Sequence, residues 1–451
     1  MTSNGQTSQR SSIRQVVAAS FVGTTIEWYD FFLYGTAAAL VFNKLFFPEV
    51  EPSSGTLLAL ATYGVGFAAR PLGGIIFGHF GDRIGRKAML VLSLLIMGIA
   101  TVLIGLMPTY AAIGIWAPVI LVALRIAQGI GVGGEWGGAV LMSVEHAPPG
   151  RRGFFGSWPQ MGVPAGLFLS TVVFLIVQEV TSDEAFLSWG WRVPFLLSAI
   201  LVGVGLFVRL RLYESPAFQR VKDTGTEAPM PILDVLRKYP REVLLAMGMR
   251  IAENGTFYIL TVYVLVYGNE VLKLPKSTML WGVVIAALIG LVTIPWYGAL
   301  SDRLGRRPLY LGGALFSLVF AFPFFLLLNT KTALLIWLAI VLGVNVGHDL
   351  MYGPQAAYFA ELFGTRVRYS GASLGYQLAS VFAGGFAPLV AAALLKWAGW
   401  PAVAAYMAVM AAITVVATWL ATETYQHDIE AEDHRERDLV GGREVGPEAR
   451  A

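Results

Sequence analysis

GHFGDRIGRK occupies Gly78–Lys87, and GALSDRLGRR occupies Gly298–Arg307. Both obey Gly-x-x-x-Asp-Arg-x-Gly-Arg-Lys/Arg, 220 residues apart. Five matched positions could arise by chance; a ten-position pattern repeated at one topological place implies a duplicated unit. What the unit is follows from hydropathy. The chain is 56% hydrophobic and only 14% charged, with a mean hydropathy of +0.64. A soluble globular chain carries about 25% charged residues, so this is the composition of an integral membrane protein.

A span needs about 20 apolar residues. Six stretches precede residue 214: 16–42, 56–79, 88–107, 118–142, 155–179 and 193–213. Six follow residue 242: 243–268, 277–300, 309–328, 333–361, 371–395 and 400–421. Each copy of the motif lies between the second and third stretch of its set. The expected fold is therefore all-α and membrane-embedded, with twelve transmembrane helices in two pseudo-symmetric six-helix halves around a central cavity. Parallel repeats of this kind are typical of transporters. The expected organisation is a tail at 1–15, an N-terminal half at 16–213, a polar linker at 214–242, a C-terminal half at 243–422 and a charged tail at 423–451. Residues 1–15 lack a cleavable signal pattern, so the first span is expected to remain in the mature protein.

Positive charge sets the orientation. With the N-terminus inside, 23 of the 32 Lys and Arg fall on the inner side and 6 on the outer, while Arg70, Arg125 and Arg250 lie within spans. Both termini are thus expected in the cytoplasm. The chain has no cysteine, which removes disulfides, thiolate chemistry and Cys-based metal sites. It has no phosphate-binding G-x-x-x-x-G-K-[ST] loop and no H-E-x-x-H pair. The reading is a non-enzymatic membrane protein, with no cofactor, no metal and no nucleic-acid partner expected.

LRIAQGIGVGG from Leu124 resembles the fourth-helix motif of the major facilitator superfamily, and the double loop motif, twelve spans and long linker resemble it too. Within it the chain resembles the metabolite:proton symporters through GTTIEWYDFFLYG (Gly23–Gly35), ARPLGGIIFGHFGDRIGRK, QGIGVGGEWGG, WGWRVPFLLS and YESPAF (Tyr213–Phe218). That family includes transporters of α-ketoglutarate, citrate, shikimate, and proline or betaine. The resemblance implies uptake of a small organic anion with a proton across a bacterial cytoplasmic membrane, by a chain acting as a monomer in the lipid bilayer. The alternatives are a zwitterionic osmolyte symporter, an efflux antiporter and a transport-dead membrane sensor. The chain departs from the osmosensory betaine members in lacking their long C-terminal coiled coil. MGVPAGLF in the fifth span fits the antiporter motif poorly.

The residues that matter are the ionisable ones inside spans, because each charge at the bilayer centre costs roughly 2.5–3.5 kcal/mol unless it is satisfied. Glu27, Asp30 and Tyr34 share a helix face by three- and four-residue steps. Two close carboxylates resist ionising together, which suits one of them to exchanging a proton; the plainer reading is a structural pair bonded to neighbouring helices. Arg125 cannot readily discharge, so it needs a carboxylate such as Asp30 or a bound anion. Glu135 sits in a glycine-rich run suited to close packing or to coupling. Arg250, Glu253, Asn254 and Tyr258 share a face of the seventh span, where Arg250 and Glu253 could neutralise each other. The tenth span offers Asn345, His348 and Asp349. Expected substrate contacts are thus Arg125, Arg250, Tyr34, Asn254, Tyr258, Gln160, Asn345, His348 and Gln377, and expected proton-coupling groups are Glu27, Asp30, Glu135, Glu253 and Asp349. Arg70, eight residues before the first motif, reads as packing on the cytoplasmic side. The loop acids and bases, Asp82, Arg83, Arg86, Glu145, Asp302, Arg303, Arg306 and Glu361, read as ion pairs that close the inner side. Topology alone would explain the bases but not the duplicated Asp.

Overall fold

In lipid every backbone polar group must find its partner within the chain, so a span is a helix or part of a closed barrel. The computed structural model describes residues 13–84, 86–133, 140, 143, 144, 147–210, 237, 239–363 and 368–426. Among the described residues there is no strand. Twelve long helices follow one another: α1 (Ile13–Leu40), α2 (Pro52–Ile84), α3 (Arg86–Leu106), α4 (Trp116–Gly133), α5 (Arg152–Val180), α6 (Arg192–Leu210), α7 (Pro240–Tyr258), α8 (Lys276–Leu304), α9 (Arg306–Asn329), α10 (Ala333–Glu361), α11 (Arg368–Ala379) and α12 (Trp400–Leu420). The chain of α7 runs on through two π-helical turns to Val271, and that of α11 through a π-helical turn and a further helix to Ala398. A further π-helical segment, Leu342–His348, lies inside α10.

Eight of these helices are apolar and long enough to cross a bilayer, and α6 with the short helical segment before it makes a ninth. In α1 the apolar run is broken by Glu27 and Asp30, and in α7 by Arg250 and Glu253. The apolar part of α3 is confined to Val91–Leu106. The expected ends shift where helices outrun the hydrocarbon layer: α2 continues five residues past 79, and short helices at Phe42–Phe46 and Tyr110–Ile113 were not expected. Hydropathy marks the lipid-facing length, whereas a helix ends where its backbone turns.

Helices α1–α6 and α7–α12 form two halves. The halves meet through α5 against α8, α2 against α11, α1 against the continuation of α7, and α5 against α10. The first two pairings are images of each other under exchange of the halves. The α5–α8 contact is close because Gly153 and Gly298 face one another: a Cβ on Gly298 would lie 2.6 Å from the Gly153 carbonyl oxygen. Within the second motif Gly305 adopts φ 101, a conformation that favours glycine, and it forms the turn between α8 and α9. Large apolar side chains remain exposed along the outer faces, Val292, Val319 and Leu326 among them, as a lipid-facing surface requires.

Candidate functional site

The ends of the helices define two sides of the molecule, one carrying the repeated motif, the other opposite it. Between them lies a cavity of about 420 Å³, counting its mouth, whose wall includes Glu27, Trp28, Arg70, Gln160, Tyr352 and Gln377. The residues come from both halves and from the motif-side part of their helices.

The expected carboxylate pair does not share one environment. Glu27 lines the cavity. Asp30 is fully buried and is turned toward α3 and α6: the Ser198 hydroxyl donates to its Oδ1, Thr101 lies against the carboxylate, and Oδ2 has no hydrogen-bond partner. A three-residue step rotates a side chain by about 60° from its neighbour, enough to place one acid in the cavity and the other in a helix seam. No cation is bonded to Asp30 among the described residues. Its link to Arg125 is indirect, through Gln128, which accepts from Arg125 Nη1 (3.0 Å) and donates to Thr101 Oγ1 (2.7 Å).

Arg125 is enclosed by rings, its guanidinium carbon 4.2 Å from the Tyr34 centroid, 4.3 Å from Phe31 and 5.0 Å from Tyr63. Tyr34 donates to Thr62 at 2.6 Å. The Nε and Nη2 of Arg125 have no hydrogen-bond partner. Arg70, expected in packing on the motif side, packs there against aromatic rings and also borders the cavity. It is 2% exposed, lines the cavity, and its Nε and Nη2 also lack partners. It lies 4.2 Å from the Phe31 ring and 4.3 Å from Phe67, so Phe31 contacts both arginines. Gly133 of α4 lets this helix press on the Arg70 backbone, since a Cβ there would collide with the Arg70 carbonyl.

The C-terminal half holds its charges differently. Arg250 Nη1 donates to Glu253 Oε2 at 2.7 Å and to Gln355 Oε1 at 2.8 Å, and Nε donates to Ser380 at 3.0 Å. His348 joins the two acids of this half, with Nε2 3.2 Å from Glu253 Oε1 and Nδ1 2.8 Å from Asp349 Oδ1. A neutral imidazole has a single N–H. Both contacts are hydrogen bonds only when the cluster holds one further proton, on the imidazole or on a carboxylate. Asp349 also accepts from Thr293 and from Asn345 Nδ2 (2.8 Å). Asn254 and Tyr258 are buried nearby. Asn254 Oδ1 is unpartnered, and Tyr258 packs edge-on against Phe67 at 5.2 Å.

Two glutamines clasp the halves across the cavity. Gln160 of α5 donates its amide to the Tyr352 carbonyl of α10, and Gln377 of α11 donates to the Gly133 carbonyl of α4 at 3.2 Å. A carbonyl only accepts, so each Nε2 must face it and each Oε1 must face away. Both Oε1 atoms are unpartnered. On the motif side, Asp302 accepts from the backbone amides of Gly153 (2.8 Å) and Phe154 (2.9 Å) at the start of α5, a carboxylate on the positive end of a helix in the opposite half. Arg306 bonds Asp302 at 2.7 Å and Glu361 at 3.1 Å, while Arg303 is exposed and makes no ion pair. The opposite side is held by Lys396 on Glu51 at 2.9 Å and by Thr56 on Glu270 at 2.6 Å.

The side chains of Asp82, Arg83 and Arg86, and Glu135 and Glu145 altogether, lie outside the described residues. Sequence reasoning missed Arg70, Gln128, Gln355 and the Glu51–Lys396 link. Intramembrane charge was a sufficient signal for the first. The glutamines and the surface pair carry no signal beyond polarity.

A profile of the Major Facilitator Superfamily matches residues 20–384. The chain is 45% identical to the shikimate transporter of Escherichia coli (strain K12) over 401 residues, which is 88% of this chain and 92% of that one. It is 44% identical to the inner membrane metabolite transport protein YhjE of the same organism over 92% of this chain and 95% of that one. With the proline/betaine transporter of Escherichia coli (strain K12) it shares 37% identity over 85% of this chain and 78% of that one. Its fold is that of the proton:xylose symporter XylE, with TM-score 0.74 at 18% identity over 94% of this chain and 98% of that one.

Proposed function

The chain belongs to the Major Facilitator Superfamily of multi-pass membrane transporters, and on that premise we propose that it takes up a small organic carboxylate together with a proton. In this reading it acts by alternating access, as a monomer in a bacterial cytoplasmic membrane, with both termini and the linker 214–242 in the cytoplasm. One contrast carries the proposal: Asp30 is a fully buried carboxylate bonded to no cation among the described residues, while Arg125, also fully buried, has two guanidinium nitrogens with no hydrogen-bond partner among them. A bare carboxylate in a dry seam is stabilised by taking a proton, and a bare guanidinium is stabilised by an anion. Loading both at once leaves no charge exposed to low dielectric, which couples the two bindings. Glu27 in the cavity is placed to pass the proton between Asp30 and solvent.

Of the two arginines first considered as anchors, Arg250 is neutralised by Glu253, which favours Arg125. Glu253, His348 and Asp349 then serve as a proton-holding cluster of the second half. Asp302 and its partners close the motif side. Shikimate, proline and betaine, the molecules named by the relatives, all carry a carboxylate. Proline/betaine relatives keep a zwitterion as the second reading, with Glu27 on the cavity wall as the acidic group nearest to hand.

The deciding experiment is uptake of labelled shikimate and glycine betaine into proteoliposomes under an imposed pH gradient. Asp30→Asn is expected to abolish accumulation driven by the gradient while retaining exchange. Unchanged proton-driven accumulation in both Asp30→Asn and Glu27→Gln would sink the coupling role. Carriage of neutral sugars without competition from any carboxylate would sink the substrate class. For orientation, Gly225→Cys in this cysteine-free chain should resist an impermeant thiol reagent added to intact cells.

A further inference from the structure

The geometry points to Arg70, with the two clasping glutamines, as the site that receives the substrate on the motif side and selects a hydroxyl-bearing carboxylate. The inference rests on the carboxylate-symport reading and adds to it the residues that read the substrate. Arg70 sits on the cavity wall, 2% exposed, with Nε and Nη2 unbonded. Nothing among the described residues neutralises it by an ion pair. Its guanidinium carbon lies over the Phe31 and Phe67 rings, at 4.2 and 4.3 Å, and 5.2 Å from the Trp28 ring. Its backbone is pinned by the close approach of α4 at Gly133. An arginine fixed in this way presents a preorganised fork, which fits a planar carboxylate in two parallel hydrogen bonds.

The other polar groups of the wall narrow the class. Gln160 and Gln377 each commit one amide N–H to a carbonyl of the opposite half, which turns the unpartnered Oε1 acceptor away from that carbonyl. Two unpartnered acceptors call for donors on the ligand. Hydroxyl groups supply them, whereas a quaternary ammonium has none. Trp28 adds an apolar face for the carbon frame. Arg125 also lies over the Phe31 ring, 4.3 Å from its centroid. A carboxylate released by Arg125 as the halves rock therefore finds Arg70 as its next cation. Because the glutamines also clasp the halves, a ligand that engages their oxygens binds to the same side chains that hold the inner closure.

The test is equilibrium binding to the purified full-length transporter in detergent, with shikimate, its methyl ester and glycine betaine as probes. Wild type should bind shikimate at least tenfold more tightly than the ester or betaine. Arg70→Gln should lose at least tenfold for shikimate and nothing for the ester. Arg70→Lys, which keeps the charge but not the fork, should fall between them. If Arg70→Gln aggregates, the lysine variant and the ester decide: shikimate affinity equal to wild type in Arg70→Lys, or an ester that binds as well as the acid, overturns the assignment. Wild-type binding with Arg70→Gln unaffected refutes this site and leaves the symport reading standing. A wild type that binds none of the carboxylates refutes both. Betaine binding more tightly than shikimate refutes the hydroxyl selection.

Discussion

Arg125 and Arg250 are both fully buried arginines in the interior of a six-helix half, yet their surroundings are opposites. Arg250 meets a carboxylate, an amide and a hydroxyl within 3.0 Å. Arg125 meets one amide oxygen and three aromatic rings. Arg70 repeats the second pattern. The acids divide likewise: Glu253 and Asp349 are enmeshed with His348 and Arg250, while Asp30 touches only hydroxyl groups. Among the described residues, the buried charges of the second half are paired with one another, whereas Arg70, Arg125 and Asp30 of the first half make no ion pair. π-Helical turns occur in both halves, one of them at Phe186–Gly190 just before α6. π-Helical segments interrupt α7, α10 and α11 of the second half, and their first-half counterparts α1, α4 and α5 show none among the described residues. Such segments reposition side chains within a helix, here beside the His348 cluster. A duplicated unit has thus been divided into a half that stores charge in closed pairs and a half that leaves charge open.

The sharpest way to break this comparison is to make the same change on both sides. Glu253→Gln removes the only carboxylate on Arg250 and leaves a buried unpaired cation, a loss of about 3–5 kcal/mol. It should appear as a large fall in Tm and in folded yield. Asp30→Asn removes a charge that no cation balances, and should cost about 1 kcal/mol or less while eliminating proton-driven accumulation. Equal destabilisation of the two variants would erase the distinction between the halves.

Next in size is the motif-side closure. Asp302→Asn removes the charge from the start of α5 and from Arg306, and should shift the balance between closed and open by about 1–3 kcal/mol. The measure is the labelling rate of a cysteine placed at Ser157, which should rise in the variant. An unchanged rate would reduce the motif to a topological signal. The two glutamine clasps sharpen the symmetry itself. Gln160→Leu and Gln377→Leu each remove one inter-half hydrogen bond, and each should shift the same labelling rate by about 1 kcal/mol. A response from one alone would show that the clasps are not equivalent.

The smallest effect lies on the opposite face. Hydrogen bonds from Ser53 and Lys396 hold the exposed Glu51 carboxyl down at about 2. A depressed carboxylate keeps its contact above the ordinary carboxylate range and loses it only as pH falls toward that value. Across pH 5–8 the link is constant. Lys396→Gln should therefore leave the pH profile of uptake unchanged, and a shifted profile would place a coupling group at this surface.

Much of the molecule was legible in the chain. Hydropathy is a sum over local side chains, and the cost of an unpaired backbone in lipid turns each apolar run into a helix. That gave the all-helical twelve-span class, and the repeated Asp-Arg motif gave the two halves. The 3.6-residue period also put Arg250 beside Glu253, because an i,i+3 pair needs no other helix. It failed for Glu27 and Asp30, since a shared face does not say which neighbour stands before each part of it. That Arg70 also borders the cavity was not legible for the same reason: whether a packed arginine meets empty space depends on α4 and α11, far away in sequence. The glutamine clasps were visible only as candidates, because an amide's partners are backbone carbonyls that every residue carries. What the sequence determined by itself is what solvation by lipid imposes locally on each segment. Which charges were paired and which were left open was decided by the tertiary structure, because pairing within about 3 Å requires several helices to converge.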